Sequence, residues 1–141
     1  MSRSSLDLSQ PKQAHTDQRL RTDAIIWLGT VRPGGRPHLV PVWFLWDGDT
    51  ILIFSKNDHK IRNLQGNNRV MLALDDTKGG GDVVMVEGEA TLLERGSVTP
   101  ALPAYAQKYA QQLAQYKWTG ESMGREYTEP ISITPAKFHY Y

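Results

Sequence analysis

The sequence predicts a mainly β protein with flanking helices, in which six or seven antiparallel strands form a barrel or a sandwich. Short apolar segments, rich in β-branched and aromatic residues, recur along the chain and are separated by compact turn signals. The glycine-rich phosphate loops of doubly wound folds, GxGxxG and the Walker sequence, do not occur. A length of 141 residues suits one domain with a single core.

The first half of the chain is predicted to form an antiparallel meander. A polar, helix-compatible segment opens it, and strands follow over residues 24–31, 38–46 and 50–55. That opening segment covers residues 16–22, where Thr16 or Asp17 can cap a helix. Glycine- and proline-rich turns at 32–36 and 47–49 separate the strands.

The second half is predicted to add further strands and two helices. The elements, in order, are a helix over 57–65, strands over 69–74 and 83–93, a helix over 104–115, and strands over 131–134 and 137–141. Asn57 or Asp58 can cap the first helix, and Gly88 indicates a bulge. Pro135 separates the final two segments, so the last is predicted to be an edge strand.

Composition excludes several classes of function. The 16 Lys and Arg against 15 Asp and Glu lack the basic excess typical of nucleic-acid binders. The absence of Cys from these 141 residues excludes disulfides, thiolate nucleophiles and cysteine metal sites. The four His residues lack the spacing of a metal-binding motif, so no metal site is predicted. They are His15, His38, His59 and His139.

The N-terminal segment is polar. It contains no apolar run of the kind found in signal peptides, and no stretch of the chain is long and apolar enough to cross a bilayer. We therefore expect a cytoplasmic protein without membrane contact. Residues 1–15 are predicted to form a flexible arm, and residues 16–141 the folded domain.

Residues 55–64 carry the clearest chemical signal. Ser55 ends a strand, and Lys56, Lys60 and Arg62 then lie close together with His59 between them. A helix that begins here would direct backbone N–H groups at an anion, and the cations would strengthen that field. This spacing fits a phosphate site and a merely solvated basic face equally well.

Residues 41–46 place large apolar groups just before the second hairpin. Pro41 inside a strand indicates a sheet edge, where free backbone groups can bond a planar heterocycle. Trp43 and Phe44 point to opposite faces of such a strand. On this pattern alone, packing in the core is the more common role for them.

Four segments in this order resemble the pyridoxamine phosphate oxidase-like split-barrel superfamily. The closer resemblance is to its flavin/deazaflavin-dependent oxidoreductases, which use FMN or coenzyme F420. The segments are 29–37 (GTVRPGGRP), 40–44 (VPVWF), 54–55 (FS) with 60–64 (KIRNL), and 86–88 (VEG). The resemblance extends from about Leu20 to Leu93 and, more weakly, to Pro135. The chain lacks the C-terminal Trp-Arg-rich signature of true pyridoxamine phosphate oxidases, so pyridoxal phosphate synthesis is not expected.

The resemblance implies an FMN-binding split β-barrel and a homodimer with cofactor sites at the subunit interface. It implies an oxidoreductase that transfers a hydride between F420 or FMN and a small organic substrate. Relatives often carry Arg-Lys where this chain has His59-Lys60. The cofactor-binding residues that it implies are Pro41, Val42, Trp43, Phe44, Ser55, Lys56, His59, Lys60 and Arg62.

Several roles stay open at the level of sequence. Tyr105, Tyr109, Tyr116 and the four His are all candidate proton donors. Trp118 and Tyr127, in a segment predicted to be a loop, either line the substrate side or pack in a core or interface. The alternative functions are a non-catalytic flavin or haem carrier on the same fold, and a barrel that binds single-stranded nucleic acid.

Overall fold

A computed structural model describes residues 4–76 and 78–141. Over these residues, seven strands form one antiparallel sheet in the order β2-β1-β5-β6-β7-β4-β3. The strands are β1 Ile26–Val31, β2 Pro37–Val42, β3 Leu45–Trp46, β4 Ile51–Ser55, β5 Arg69–Leu74, β6 Val84–Leu92 and β7 Glu129–Tyr140. The helices are α1 Pro11–Thr22, α2 His59–Gly66, α3 Leu102–Lys108, α4 Ala110–Gln115 and α5 Gly120–Glu126. The predicted mainly β, split-barrel class is confirmed.

The strand order forces the sheet to curl. β2 and β3 lie at opposite edges, yet only Trp43 and Phe44 connect them. In a flat sheet of seven strands the two edges would lie about 29 Å apart, since neighbouring strands lie roughly 4.8 Å from each other. The step from Val42 to Leu45 spans at most about 11 Å, at 3.8 Å for each Cα–Cα step. The edges therefore approach each other and the sheet closes into a half-barrel. We call Trp43 and Phe44 the crossover.

The barrel interior is filled by the alternate residues of the strands. β1 and β4 bury every second side chain, as period-2 strands with one buried face do. Leu20 of α1 and Ile61 and Leu64 of α2 belong to the same hydrophobic cluster. These helices therefore complete the core that the curled sheet leaves incomplete.

Residues 99–126, here called the helical arm, build a second hydrophobic cluster outside the barrel. A 3-10 turn at Thr99–Ala101 leads into α3, α4 and α5. The buried members of this cluster are Tyr105, Tyr109, Leu113 and Met123. They pack against Trp43, Leu45 and Phe54, which belong to the crossover, β3 and β4. The arm thus covers the barrel where the sheet edges meet.

Tyr109 fixes the crossover in place. The Phe44 N–H donates to the Tyr109 Oη at 2.8 Å, and that hydroxyl lies 2.7 Å from the Ala24 carbonyl oxygen and 3.0 Å from that of Phe44. Phe44 is fully buried and lies between two strands, so its backbone groups need partners from outside the ladder. The tyrosine hydroxyl supplies them.

Helix α1 is held by a buried guanidinium. Arg19 is 6% exposed and donates to the carbonyl oxygens of Asp82 and Asp75, at 2.6 Å each. Its Nη2 lies 2.5 Å from the Asp23 carboxylate. Because these partners flank β1, β5 and β6, one side chain joins the helix to the loops of three strands.

The N-terminal boundary differs from the prediction. Helix α1 begins at Pro11 instead of residue 16, because proline suits the first helical turn, where no N–H partner is needed. The Ser4 N–H donates to the Pro135 carbonyl, and Leu6 packs against the core. The predicted flexible arm 1–15 therefore includes ordered contacts, and its residues 1–3 lie outside the described residues.

Three other elements differ from the sequence prediction. The strand predicted over 38–46 is broken at the crossover, and the helix predicted over 104–115 is broken at Tyr109. The segment around Gly120 and Gly124, predicted as a loop, is helix α5, capped by Thr119 and Ser122. The local sequence pattern did not reveal the breaks at the crossover and at Tyr109, because tertiary packing between these two segments sets them.

The C-terminal strand is also different from the prediction. β7 is one continuous strand instead of the two predicted, and its residues 129–133 lie between β6 and β4. Among the described strands, residues 137–140 pair with β6 alone, which agrees with the edge position predicted for 137–141. Pro135 is tolerated because it faces Gly88 at the register shift between Glu87 and Gly88. This confirms the predicted bulge. A Cβ on Gly88 would lie 2.9 Å from the Thr134 carbonyl oxygen, so the close approach requires glycine.

No helix within residues 4–76 and 78–141 combines the length and apolar character needed to span a membrane.

Tyr109→Phe is expected to lower the free energy of unfolding by about 1–3 kcal/mol, because it leaves the buried Phe44 N–H without an acceptor. Urea unfolding measures the change. Tyr116→Phe, on the same arm but with a side chain 59% exposed, is the matched control and should change stability by less than about 0.5 kcal/mol. Equal effects of the two variants would show that Tyr109 does not hold the crossover.

Candidate functional site

A cavity of about 600 Å³ lies between the crossover, the end of β4, the start of α2 and the helical arm. This volume falls in the range of small-molecule binding sites. The residues that line it come from all four regions. They are Ile25, Pro41, Val42, Trp43, Phe54, Ser55, Lys56, Asp58, Lys60, Tyr105, Tyr116, Trp118, Met123 and Tyr127.

One part of the cavity is aromatic. Trp43 stacks on Tyr109, with ring centroids 4.3 Å apart and planes 4° from parallel. Phe54 meets Tyr105 edge-on at 5.0 Å. Trp118 and Tyr127 lie with their rings 6.0 Å apart on the arm side. Flat apolar walls of this kind suit a planar ring system.

The other part is polar, and its centre is the start of α2. Asp58 is the N-cap and accepts from the Lys60 N–H at 3.1 Å and from Lys60 Nζ at 2.7 Å. The Ser55 Oγ donates to the Lys56 carbonyl at 2.7 Å and lies 3.4 Å from Asp58 Oδ1. Lys56 Nζ lies 5.3 Å from the Tyr127 ring centre. Cations, a hydroxyl and a helix start therefore converge on one end of the cavity.

The ionisation of Asp58 follows from these contacts. Burial raises the pKa of its carboxyl, but the hydrogen bond and charge of Lys60 outweigh burial and hold the pKa below its ordinary value. Asp58 is thus an anion at neutral pH. It lies among the residues that the family resemblance implies as cofactor ligands.

The structure brings most of the predicted site residues together. Those that line the cavity are Pro41, Val42, Trp43, Ser55, Lys56 and Lys60. Pro41 lies on β2, an edge strand, as its position in the sequence indicated. Cofactor binding by these residues stays a prediction at this point.

Three predicted residues lie elsewhere. Phe44 is buried in the barrel core, and Tyr109 and Lys108 take the hydrogen bonds of its backbone. The ring of His59 lies 6.3 Å from that of His38, and Arg62 is exposed on α2. Neither side chain is among the residues that line the cavity.

Sequence reasoning missed Asp58 and Met123 among the lining residues, and placed Ile25 only in a strand. Asp58 was identified only as a helix cap, although a cap residue between Ser55 and Lys60 necessarily lies beside any anion site at the same helix start. Met123 was not identified, because its segment was predicted to be a loop. Its place in α5, which begins at Gly120, turns it into the arm cluster.

The candidate proton donors separate by position. Tyr105 and Tyr116 line the cavity, and Tyr109 lies behind Trp43. Burial raises the pKa of the Tyr105 and Tyr109 hydroxyls, so both keep their protons at neutral pH. None of the four His is among the described residues that line the cavity.

Comparison with known proteins identifies one matching family and several solved structures with a similar fold. The model of the pyridoxamine 5'-phosphate oxidase family matches residues 13–141. An F420 reductase structure is 22% identical, with 87% of this chain and 94% of that one covered and a TM-score of 0.67. An FAD-binding protein from Mesorhizobium loti is 16% identical, with 89% and 88% covered and a TM-score of 0.66. HutZ, a haem storage protein from Vibrio cholerae, is 19% identical, with 97% and 95% covered and a TM-score of 0.61. Comparison with curated proteins gives no match.

Lys108 holds the crossover from the arm side. Its Nζ donates to the Phe44 carbonyl at 2.8 Å and lies 3.6 Å from the centre of the Phe44 ring. Burial lowers the pKa of this amine to about 8, and the charge of Asp23 opposes the shift only in part. The ammonium form is therefore less favourable in the folded protein than in water.

The stability of the wild type relative to Lys108→Met is expected to rise between pH 8 and 10.5. In this window the unfolded chain, whose Lys has its ordinary pKa of 10.5, binds more protons than the folded chain, so stability increases with pH. Below pH 8 both states are protonated and the difference between the two proteins stays constant. Urea unfolding of both proteins across this range measures it, and parallel curves throughout would contradict the lowered pKa.

Proposed function

Because the chain belongs to the pyridoxamine 5'-phosphate oxidase family, we propose that it is an oxidoreductase that uses F420 or FMN to reduce or oxidise a small organic substrate. The observation that carries this proposal is the cavity itself, which joins aromatic walls to a cluster of phosphate-binding groups. A flavin or deazaflavin has the same two parts, a planar ring and a phosphate on a ribityl chain.

The phosphate is assigned to the end formed by Ser55, Lys56 and Lys60. A hydroxyl and two cations beside a helix start supply donors and positive charge together. The Lys60 side chain is only 14% exposed, so its charge is less screened than that of a surface lysine. Arg62 lies further along α2, outside the cavity lining, and its charge adds to the positive field without contact.

The ring system is assigned to the space between the crossover and the arm. Pro41, Val42 and Trp43 form its barrel side, and Trp118 and Tyr127 its arm side. When bound, the cofactor supplies the hydride chemistry. The chain binds and orients it, and the apolar walls exclude water. Tyr105, kept protonated by burial, holds a hydroxyl at the cavity.

We propose that the protein forms a homodimer through the outer face of β2, β1 and β5. Leu39 is 63% exposed and Met71 38%, and both pair with Gly29, which adds no side chain between them. Exposed apolar rows of this kind are typical of interfaces. In the neighbouring row Pro41 pairs with Trp27 and also lines the cavity, so a partner on this face would lie beside the cofactor site.

A second candidate is a non-catalytic haem or flavin carrier on the same fold, favoured by the likeness to a haem storage protein. Haem iron needs an axial ligand. Among the described lining residues, Met123 and the tyrosines are the only such groups, with no His. Bound haem would produce a Soret band on titration with hemin, and a carrier would show no turnover with any electron acceptor.

Titration with FMN and with F420, followed by fluorescence quenching, tests the cofactor assignment. We expect micromolar binding of at least one, weakened about tenfold or more in Ser55→Ala and in Lys60→Ala, because each removes a donor to the phosphate. Lys137→Ala, an exposed lysine on β7, is the control and should bind as the wild type does. If neither cofactor binds, the proposed function fails.

Leu39→Glu is expected to convert a dimer into a monomer, because a carboxylate would be buried without a partner in the apolar row. Analytical ultracentrifugation measures the mass in solution. Leu8→Glu is the matched control, since Leu8 is 56% exposed but lies outside this row. A wild type that is monomeric at all concentrations would contradict the dimer.

A further inference from the structure

Asp58 holds the same donors that the proposed phosphate needs. Its carboxylate accepts from the Lys60 N–H and from Lys60 Nζ, and the Ser55 hydroxyl lies 3.4 Å away. All three residues line the cavity. An internal anion thus lies beside the position assigned to an external one.

The charges that line the cavity give a simple balance. Lys56 and Lys60 are the cations among the described lining residues, and Asp58 is the anion. Together they leave one net positive charge. That matches an anion with a single negative charge, and the described lining holds no further cation to compensate a second one.

We propose that Asp58 is a specificity-determining residue, which makes the cavity prefer a cofactor whose phosphate is a singly charged diester over one that ends in a doubly charged monoester. The inference rests on the proposed function, because it assumes that the phosphate lies at Ser55 and Lys60. It favours F420, whose phosphate is esterified on both sides, over FMN, whose phosphate is terminal.

The physical basis is the charge that each phosphate carries. A monoester has a second pKa near 6 and carries roughly −1.5 to −2 at neutral pH. A diester has no second proton to lose and carries a single charge. The monoester and the diester must both share Lys60 with Asp58, so the energetic cost of sharing this lysine is common to both ligands. The attraction by Lys56 and Lys60 and the repulsion by Asp58 both grow with the ligand's charge. A doubly charged phosphate also loses more hydration when it enters the cavity, and because Asp58 offsets part of the lysines' attraction, this larger cost is not compensated for the monoester.

A structural role for Asp58 is the competing explanation, since it caps α2. Asparagine caps a helix as well as aspartate does but carries no charge. Asp58→Asn therefore removes the charge and retains the cap. Asp58→Ser, a second neutral cap, provides the same comparison if the first variant folds poorly.

The test compares two ligands that differ by one charge: FMN and its methyl phosphodiester, with the same ring and ribityl chain. Dissociation constants are measured at pH 8, where FMN is doubly charged. We expect the wild type to bind the diester more tightly. Asp58→Asn should improve FMN binding about tenfold more than diester binding, a change of about 1.4 kcal/mol in relative affinity. Glu94→Gln, a charge removed from an exposed loop, should leave the ratio unchanged.

The outcomes separate the two proposals. A ratio that is equal in the wild type and in both neutral variants would overturn the role of Asp58 while leaving the proposed function intact. Failure of both ligands and of F420 to bind any of these proteins would overturn the proposed function, and the specificity inference with it.

Discussion

The two-residue crossover is the constraint on which this structure depends. Strands that follow each other in the chain lie at opposite edges of a seven-stranded sheet, and a connection of about 11 Å cannot span a flat one. The short connection therefore forces the sheet to close, and the closed sheet encloses the hydrophobic core of the barrel. The crossover lacks ladder partners, and the hydroxyl of Tyr109 and the amine of Lys108 take their place.

The same crossover creates the cavity. Its two side chains point in opposite directions, so that Phe44 fills the barrel and Trp43 packs on the helical arm. β4 then returns along the closed edge and delivers Ser55 and the start of α2 to the same place. The aromatic walls and the positively charged end of the cavity thus lie next to each other because one short segment joins the sheet edges.

Much of the barrel could be predicted from the sequence, because alternation and turn residues are local signals. The β1–β2 hairpin, the capped start of α2 and the bulge at Gly88 all followed from such signals. The central place of β7 could not be predicted, since it depends on pairing with β4 and β6, which are distant in the chain. Pro135 indicated an edge, and the described pairing with β4 does end before it, at Ile133, while its other side faces Gly88 at the register shift.

In the candidate site, too, the residues that are close in sequence could be predicted, and those that depend on tertiary contacts could not. Ser55, Lys56 and Lys60 are close in sequence and were predicted together, whereas Phe44 was assigned to the site although burial places it in the core. Asp58 went unrecognised as a lining residue beside Ser55 and Lys60 because a capping role already explained it. Residue type and spacing identify groups that lie near each other in the chain. The net charge of a cavity also depends on residues from every other element that lines it.

The helical arm has a hydrophobic cluster of its own, separate from that of the barrel. The arm supplies Tyr116, Trp118 and Met123 to the cavity, while the barrel and α2 supply the basic end. Substitutions at Tyr116 and Trp118 can therefore reshape the apolar wall, whereas Tyr109 and Lys108 on the same arm hold the crossover that closes the sheet. One segment thus has two separate tasks: its buried residues anchor the sheet edges, and its residues at the cavity set the shape of the space that a small molecule can enter.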